Sequence, residues 1–569
     1  MRKLLSSKTG LSVLVLFTLV AAFMGGAMLH NASTAKAATP KTSSTQNGIC
    51  SRLGKSIEAS AGALAYCFGS QKSGGSQIKT TSGSFVPNVD AANLNEDITP
   101  NGTRGYGQSE TSIAGIGSYV VEGWNDSTGF FAPCPSPMFK EELTGYGFSA
   151  NGGKSFTDEG GLPNDCTTGF KYEGDPSVEA YQPGGAGHPA YFYISSLYVN
   201  GTTGMSDIAM DACTATGSGS SASITCSGPV IIASGGPGDF LDKDFLSIDP
   251  ARARLYASYT RFGSAAATVN GQIELAVCDL STPATPTCYP GASTTPYLIV
   301  QPGQACENEG AYPAVDVHSG DVYVAWEYNW ATNYLGPAPC NTTEHVQNRV
   351  AYAPFACLTL TPVSPCATAP NQVSVNIVSI DTAFIPGFNR VPAAGNSPAN
   401  DFPRIAVSDS FGTVSIVWND TRYHPMGDIL LQSYHLVSLS PIQSSPARVN
   451  PDFTGGLHFM PAIRNTDDGG HLSVSYFQRN SPNTSLTNVD AVLDLNPTAT
   501  GPAGTFVVVT TKPSDWLNVS SDIIPNFGDY TDNYFLAKSQ APYTDDVLYV
   551  AWSDGRLGVP QPFEAHGMS

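Results

Sequence analysis

The stretch "YPAVDVHSGDVYVAWEYN", residues 312–329, reads as two short strands joined by a tight turn. In "DVYVAW", Val322, Val324 and Trp326 share one face, and Tyr323 and Ala325 share the other. A period of two marks a β-strand. The same design recurs along the chain: a short apolar strand, often opened by Pro, then a second strand ending in an aromatic followed by Asp, Glu or Arg.

The other copies are "ETSIAGIGSYVVEGWND" (110–126), "GDPSVEAY" with "AYFYISSLY" (174–198) and "KDFLSIDPARARLYASYTRF" (243–262). They continue with "FPRIAVSDSFGTVSIVWNDTR" (402–422), "MPAIRNTDDGGHLSVSYFQR" (460–479), and "GDYTDNYFLA" with "VLYVAWSDGR" (528–556). Third strands follow in "GQIELAVCDL" (271–280), "NRVAYAPF" (348–355) and "GDILLQSYHL" (427–436). Strand, strand, loop, strand, seven times over, predicts an all-β fold: a β-propeller of four-stranded antiparallel blades, seven in number, with six as the alternative. Helical periodicity is absent beyond the N-terminal apolar run. After Arg556, "QPFEAHG" leaves room for a third strand but no fourth. A strand from the N-terminal side, "SGSFVPNV" (82–89), is expected to complete the last blade and remove the open edge.

The remaining composition bounds the biology. Arg2, Lys3 and Lys8, the apolar run 11–29 and "AKA" (35–37) read as a signal peptide cleaved after Ala37. Residues 38–104 read as a Ser/Thr/Gly-rich linker, and residues 105–569 as the propeller. Cleavage takes four positive charges and moves the net charge from −20 to −24. Such a chain repels nucleic acid and anionic lipid. No later stretch is long and apolar enough to enter a membrane. A secreted or cell-surface protein, monomeric, is the expectation.

Twelve cysteines in an exported chain suggest disulfides. Pairing of neighbours is expected: Cys50–Cys67, Cys134–Cys166, Cys213–Cys226, Cys278–Cys288, Cys306–Cys340 and Cys357–Cys366. No cofactor is required by any motif, and HExxH, GxSxG, phosphate-loop and dinucleotide patterns are missing. Calcium held by acids or by "NTDDGG" (465–470) is compatible with an acidic exported chain, although "NTDDGG" also reads as a plain hairpin turn.

One further stretch, "SANGGKSF" (149–156), falls at the turn from strand three to strand four of the first blade. Its Ser149, Asn151, Gly153 and Phe156 resemble the Asp-box hairpin of the sialidase (neuraminidase) superfamily, with Asn151 for Asp and Phe156 for Trp. Together with "GDPSV", "YPAVD", "FPRIAV", "MPAI", "GDY" and "WSDGR", it makes residues 105–569 similar to secreted bacterial sialidase-like propellers with BNR/Asp-box repeats. That architecture hosts hydrolases, lyases and binders alike.

Topology sorts the candidate site residues. Those just before a first strand or just after a second strand gather at one end, the top face. Catalytic candidates there are Asp529, Tyr530, Arg556, Arg422, Asp175 and Asp244. Ligand-binding candidates are Glu110, Asp126, Arg261, Glu327, Asp420, Arg479 and Asp554. Arginine forks suit carboxylates, and paired carboxylates suit glycoside cleavage. Tyr530 beside Asp529 allows the tyrosine-nucleophile variation. The recurrent "NDTR" and "SDGR" ends also read as bracing Asp–Arg pairs, and Trp124, Trp326, Trp418 and Trp552 as core. Glu110 stands where sialidases place an arginine, so no arginine triad is assigned. Three functions stay open: a glycan or anionic-ligand binder, a glycoside hydrolase of exo-sialidase type, and a structural envelope protein.

Overall fold

The computed structural model describes residues 88–95, 105–130, 143–164, 168–201, 203–263, 271–303, 307–330, 347–376, 385–386, 396–397, 402–451, 456–465, 470, 472–479, 486–498, 500, 504–521, 527–536 and 546–568. The signal and linker segments, Cys50, Cys67, Cys134, Cys166, Cys306 and Cys340, and the middle of "NTDDGG" lie outside them.

Seven antiparallel sheets follow one another as blades of a seven-bladed β-propeller. Blade 1 runs Gln108–Ile116, Tyr119–Asp126, Thr144–Ser149 and Thr157–Gly161, in that order from the axis outward. Blades 2 to 6 open with first strands at Ser177–Tyr181, Phe240–Asp249, Glu307–Val315, Arg404–Ser408 and Leu457–Asn465. The first strand of blade 7 is Asp532–Leu536. These first strands touch in an unbroken circle around the axis. Strand three of blade 7 is Gln561–Met568, and it is capped by Val89–Asp90, with Val89 opposite Glu564 and Asp90 opposite Phe563. The N-terminal side therefore supplies the fourth strand of blade 7, as expected, and the two ends of the propeller are joined in one sheet. Helix is confined, among the described residues, to Ser127–Phe130 and short 3-10 turns.

Strands with two apolar faces need a sheet on each side. The packing obeys this: seven apolar clusters fill the seven blade interfaces. Phe192 and Ile194 of blade 2 meet Ala114 and Val121 of blade 1, for example, while Val120 on the opposite face of blade 1 meets Tyr549 of blade 7. Trp124, Trp326, Trp418 and Trp552, all on second strands, are fully buried.

Two disulfides, Cys213–Cys226 and Cys278–Cys288, tie strand three of a blade to its outer strand, and a third, Cys357–Cys366, closes the connection between strands three and four of blade 4. Cys213 and Cys226 face each other directly across strands Ser206–Thr216 and Ser223–Ser234. Their separation of 13 residues closes a short loop. Replacing both by Ser is expected to cost about 2–3 kcal/mol, read as a lower urea midpoint. An unchanged midpoint would mean that the ladder alone holds this edge.

Candidate functional site

A column of left-handed residues sits at the top of the inner strands. Glu110 (φ 56°), Asp175 (φ 61°), Lys243 (φ 54°), Gly310 (φ 67°), Met460 (φ 51°) and Gly528 (φ 80°) occupy it in blades 1, 2, 3, 4, 6 and 7. A register shift brackets positions 110, 243, 310 and 460. Each bulge adds a residue and turns the chain inward. Positive φ costs glycine nothing, but it strains Glu, Asp and Lys, and strained charged residues cluster at functional sites.

The strain brings charges together. Lys243 Nζ lies 2.5 Å from Asp529, 3.9 Å from Asp175 and 4.0 Å from Glu110, with all four side chains essentially inaccessible to solvent. Glu110 accepts from the Asn125 amide at 2.9 Å and from the Asp529 backbone N–H at 3.0 Å. The Asp175 N–H donates to Asn125 Oδ1 at 2.7 Å. Burial, and then the neighbouring Asp175, push the Glu110 carboxyl well above its ordinary range. Burial raises Asp175 to about 7 against the pull of Lys243. Burial alone would lower Lys243, but Asp529 and then Glu110 and Asp175 outweigh it and hold the ammonium high. Asp244, beside this group, is raised to about 8 by burial and accepts from Ser195 Oγ.

Next to this group lies a cation of different character. Arg404 packs over the rings of Phe245 (4.2 Å), Tyr312 (4.8 Å) and Tyr530 (5.1 Å). It is 3% exposed, and Nη1 is buried without a hydrogen-bond partner. Burial pulls its pKa down. Tyr530 is fixed in turn, its hydroxyl donating to the Pro176 carbonyl at 2.9 Å.

Two more buried polar groups lie at the same end of neighbouring blades. Arg479 ends strand two of blade 6, with Nε and Nη1 unpartnered and its pKa lowered by burial. Asn348, on strand three of blade 4, has neither amide atom hydrogen-bonded. Glu327 lies between Glu309 and Asn348 in the ladder, so all three share one sheet face.

The remaining candidates are engaged in local pairs. Trp418 Nε1 donates to Asp420 at 2.9 Å, and Arg422 grips the same carboxylate at 2.7 Å. Trp552, Asp554 and Arg556 repeat this at 2.7 and 2.5 Å. Residues two apart on a strand face the same way, which is why Trp-x-Asp places the indole N–H on the carboxylate. Arg556 also reaches Thr511 at 3.0 Å and Asn88 at 2.9 Å, tying the closing strand to blade 6. Arg261 forks onto Glu274 at 2.6 and 3.0 Å. Asp126 accepts from the Thr128 N–H at 2.8 Å. Of the thirteen candidates, eleven are buried and two, Arg422 and Arg556, are half-buried, each of the two in the kind of bracing Asp–Arg pair that the strand ends also suggested. The bulges aim the first-strand residues at the axis, and the neighbouring blades cover the strand ends.

The Ser149 hairpin lies at the opposite end, between strands three and four of blade 1. Ser149 Oγ accepts from the Gly153 N–H at 3.0 Å, and Asn151 Oδ1 accepts from the Ser155 N–H at 3.1 Å. Phe156 packs partly buried against the blade 1–blade 7 core.

Among the described residues, no group of three or more His, Cys, Asp or Glu is arranged to hold a metal ion, and no helix is long and apolar enough to cross a membrane. No family model matches the chain, and no curated protein is similar to it. Solved structures with a similar fold include an α-L-arabinofuranosidase of Fusarium graminearum, 10% identical, TM-score 0.39, covering 85% of this chain and 98% of that one. A Penicillium chrysogenum α-L-arabinanase is 11% identical, TM-score 0.39, covering 76% and 99%. A Trypanosoma rangeli sialidase is 9% identical, TM-score 0.35, covering 72% and 57%. At such values the likeness does not bear on the chemistry of the site.

Proposed function

We propose that the protein is an extracellular binding propeller that takes an anionic polar ligand, of which an acidic glycan is the type, at the top of blades 4 to 6. The observation that carries this reading is Arg404. A guanidinium held among three rings with a buried, unpartnered nitrogen is costly, and an anion brought to it would recover that cost. Arg479 and Asn348 add unmet donors at the same end. Their unmet state fits a site made for a partner.

Hydrolysis by the nominated carboxylates is disfavoured on geometry. A glycosidase keeps its two carboxyls about 5–10 Å apart with the sugar between them. Here Lys243 Nζ occupies the space among Glu110, Asp175 and Asp529. Export belongs to the same proposal, and the three disulfides suit an oxidising compartment.

The test is an array of acidic and neutral glycans, run beside a panel of chromogenic glycosides. Binding to acidic glycans without turnover is expected. Arg404→Met should weaken that binding by roughly tenfold to a hundredfold, the worth of one hydrogen bond to a charged group. Binding untouched in both Arg404→Met and Arg479→Met, or turnover of any glycoside, would sink the reading.

A further inference from the structure

We infer that Lys243 and Asp529 are a modification site: the pair is placed to form an intramolecular amide between Nζ and the side-chain carboxyl, with Glu110 as the proton carrier. Three independent features meet here. The reacting groups adjoin, with Nζ 2.5 Å from Asp529 Oδ2, an oxygen on the carbon that the amine would attack. Water is excluded, since both side chains are fully buried and the ammonium sits over the rings of Phe402 (5.3 Å) and Tyr530 (5.8 Å). A third group is fixed beside them, because Glu110 Oε1 takes the backbone N–H of Asp529 itself at 3.0 Å.

The chemistry balances without an outside reagent. In the ion pair the ammonium has no lone pair to offer. Passing one proton from Nζ to Asp529 gives a neutral amine beside a neutral acid at unchanged net charge. A low-dielectric site favours that exchange more than water does. The amine lone pair then adds to the Asp529 carboxyl carbon. Glu110, in its acid form, delivers a proton to the departing hydroxyl and receives one from the nitrogen. The C–O bond breaks, the C–N bond remains, and one water leaves. Nothing is oxidised or reduced, and Glu110 ends as it began.

The product would join blade 3 to the entry of blade 7 across 286 residues. It would also use a charged lysine that ligand binding at Arg404 does not need.

Intact-mass measurement of the purified chain, with disulfides reduced, decides the matter. The expected mass is that of the sequence less one water, with a tryptic product in which the Lys243 and Asp529 peptides are joined. Glu110→Gln, which keeps the hydrogen bond from the Asp529 N–H but carries no exchangeable acid proton, is expected at full mass with an unchanged circular-dichroism spectrum. Lys243→Arg keeps the charge and is likewise expected at full mass. A wild-type chain at full mass with no joined peptide overturns the inference. So does a water loss that fragmentation places elsewhere. A joined Glu110→Gln chain removes Glu110 from the chemistry.

Discussion

Replacing Arg464 by methionine is expected to lower stability by about 3–5 kcal/mol, the cost of leaving buried carboxylates without their cation. Arg464 belongs to the first strand of blade 6 but reaches across the axis. Its Nη1 lies 3.1 Å from Glu179 of blade 2, and its Nη2 lies 3.7 Å from Asp532 of blade 7. Its Nε donates to the Asn533 carbonyl at 2.8 Å, and Asp532 also takes the Ser112 hydroxyl of blade 1 at 2.8 Å. One side chain thus joins three blades, and Asp532 ties in a fourth. Burial raises Glu179 to about 7 even with the arginine present. Urea unfolding of Arg464→Met, and of the triple change Arg464→Met/Glu179→Gln/Asp532→Asn, separates pairing from packing. The triple change is expected to regain most of the loss, because no buried charge is left alone. A single mutant within about 1 kcal/mol of wild type would show that the axis does not depend on this network.

The second large effect is a stability that falls as pH rises. Glu122, in strand two of blade 1, is fully buried, and neither carboxylate oxygen has a hydrogen bond. Burial raises it well above its ordinary range, and Glu564 and Asp90, both in blade 7, raise it further. Burial raises Glu564 as well, and lifts Asp90 to about 7. A carboxyl whose folded pKa lies above its unfolded one contributes fully below the unfolded value, near 4, and loses that contribution as pH climbs through the folded one. For Asp90 that window is pH 4 to 7, and Glu122 and Glu564 shift in the same direction. His566, 3.3 Å from Glu564, works the other way: burial, then Lys154, lower it to about 4, so acid weakens the fold as pH drops from 6.5 towards 4. Several carboxyls against one imidazole leave the balance on the acid side. The urea midpoint is therefore expected to be higher at pH 5.5 than at pH 8.5. Each pKa unit is worth about 1.4 kcal/mol, so the part of the Asp90 window above pH 5.5 is worth about 2 kcal/mol, and Glu122 and Glu564 add to it in the same direction. Glu122→Gln mimics the protonated acid and should recover part of the loss at pH 8.5 while changing little at pH 5.5. Equal midpoints at the two pH values would mean that these carboxyls are solvated in the folded state.

How far the sequence could lead depends on the range of each interaction. Alternation and the Trp-x-Asp strand ends are local, and they located all seven blades. The neighbouring cysteines lie across single hairpins, so the three described pairs were legible from proximity along the chain. The axis is another matter. There Lys243 of blade 3 meets Glu110, Asp175 and Asp529, and Arg464 of blade 6 meets Glu179 and Asp532, and no short window of sequence contains two blades. A signal was nevertheless present. Aligning "SETS", "GDPS", "DKDF" and "EGAY" places Glu110, Asp175, Lys243 and Gly310 in one column, the column of positive φ. The one lysine of that column is the counter-ion of its acids. The Asp–Arg pairs of "NDTR" and "SDGR" are local and were legible, whereas strand position gives the end of a blade but not what the neighbouring blade lays over it.

The closing strand has a consequence in time. A ribosome delivers Val89 and Asp90 long before their partners Glu564 and Phe563. Until Gln561–Met568 is made, Val89–Asp90 has no strand to join. Every earlier blade can dock on its predecessor as it appears, yet the nascent chain stays an open arc with a bare face at each end. The propeller becomes a ring in one event, when its first-made and last-made strands meet.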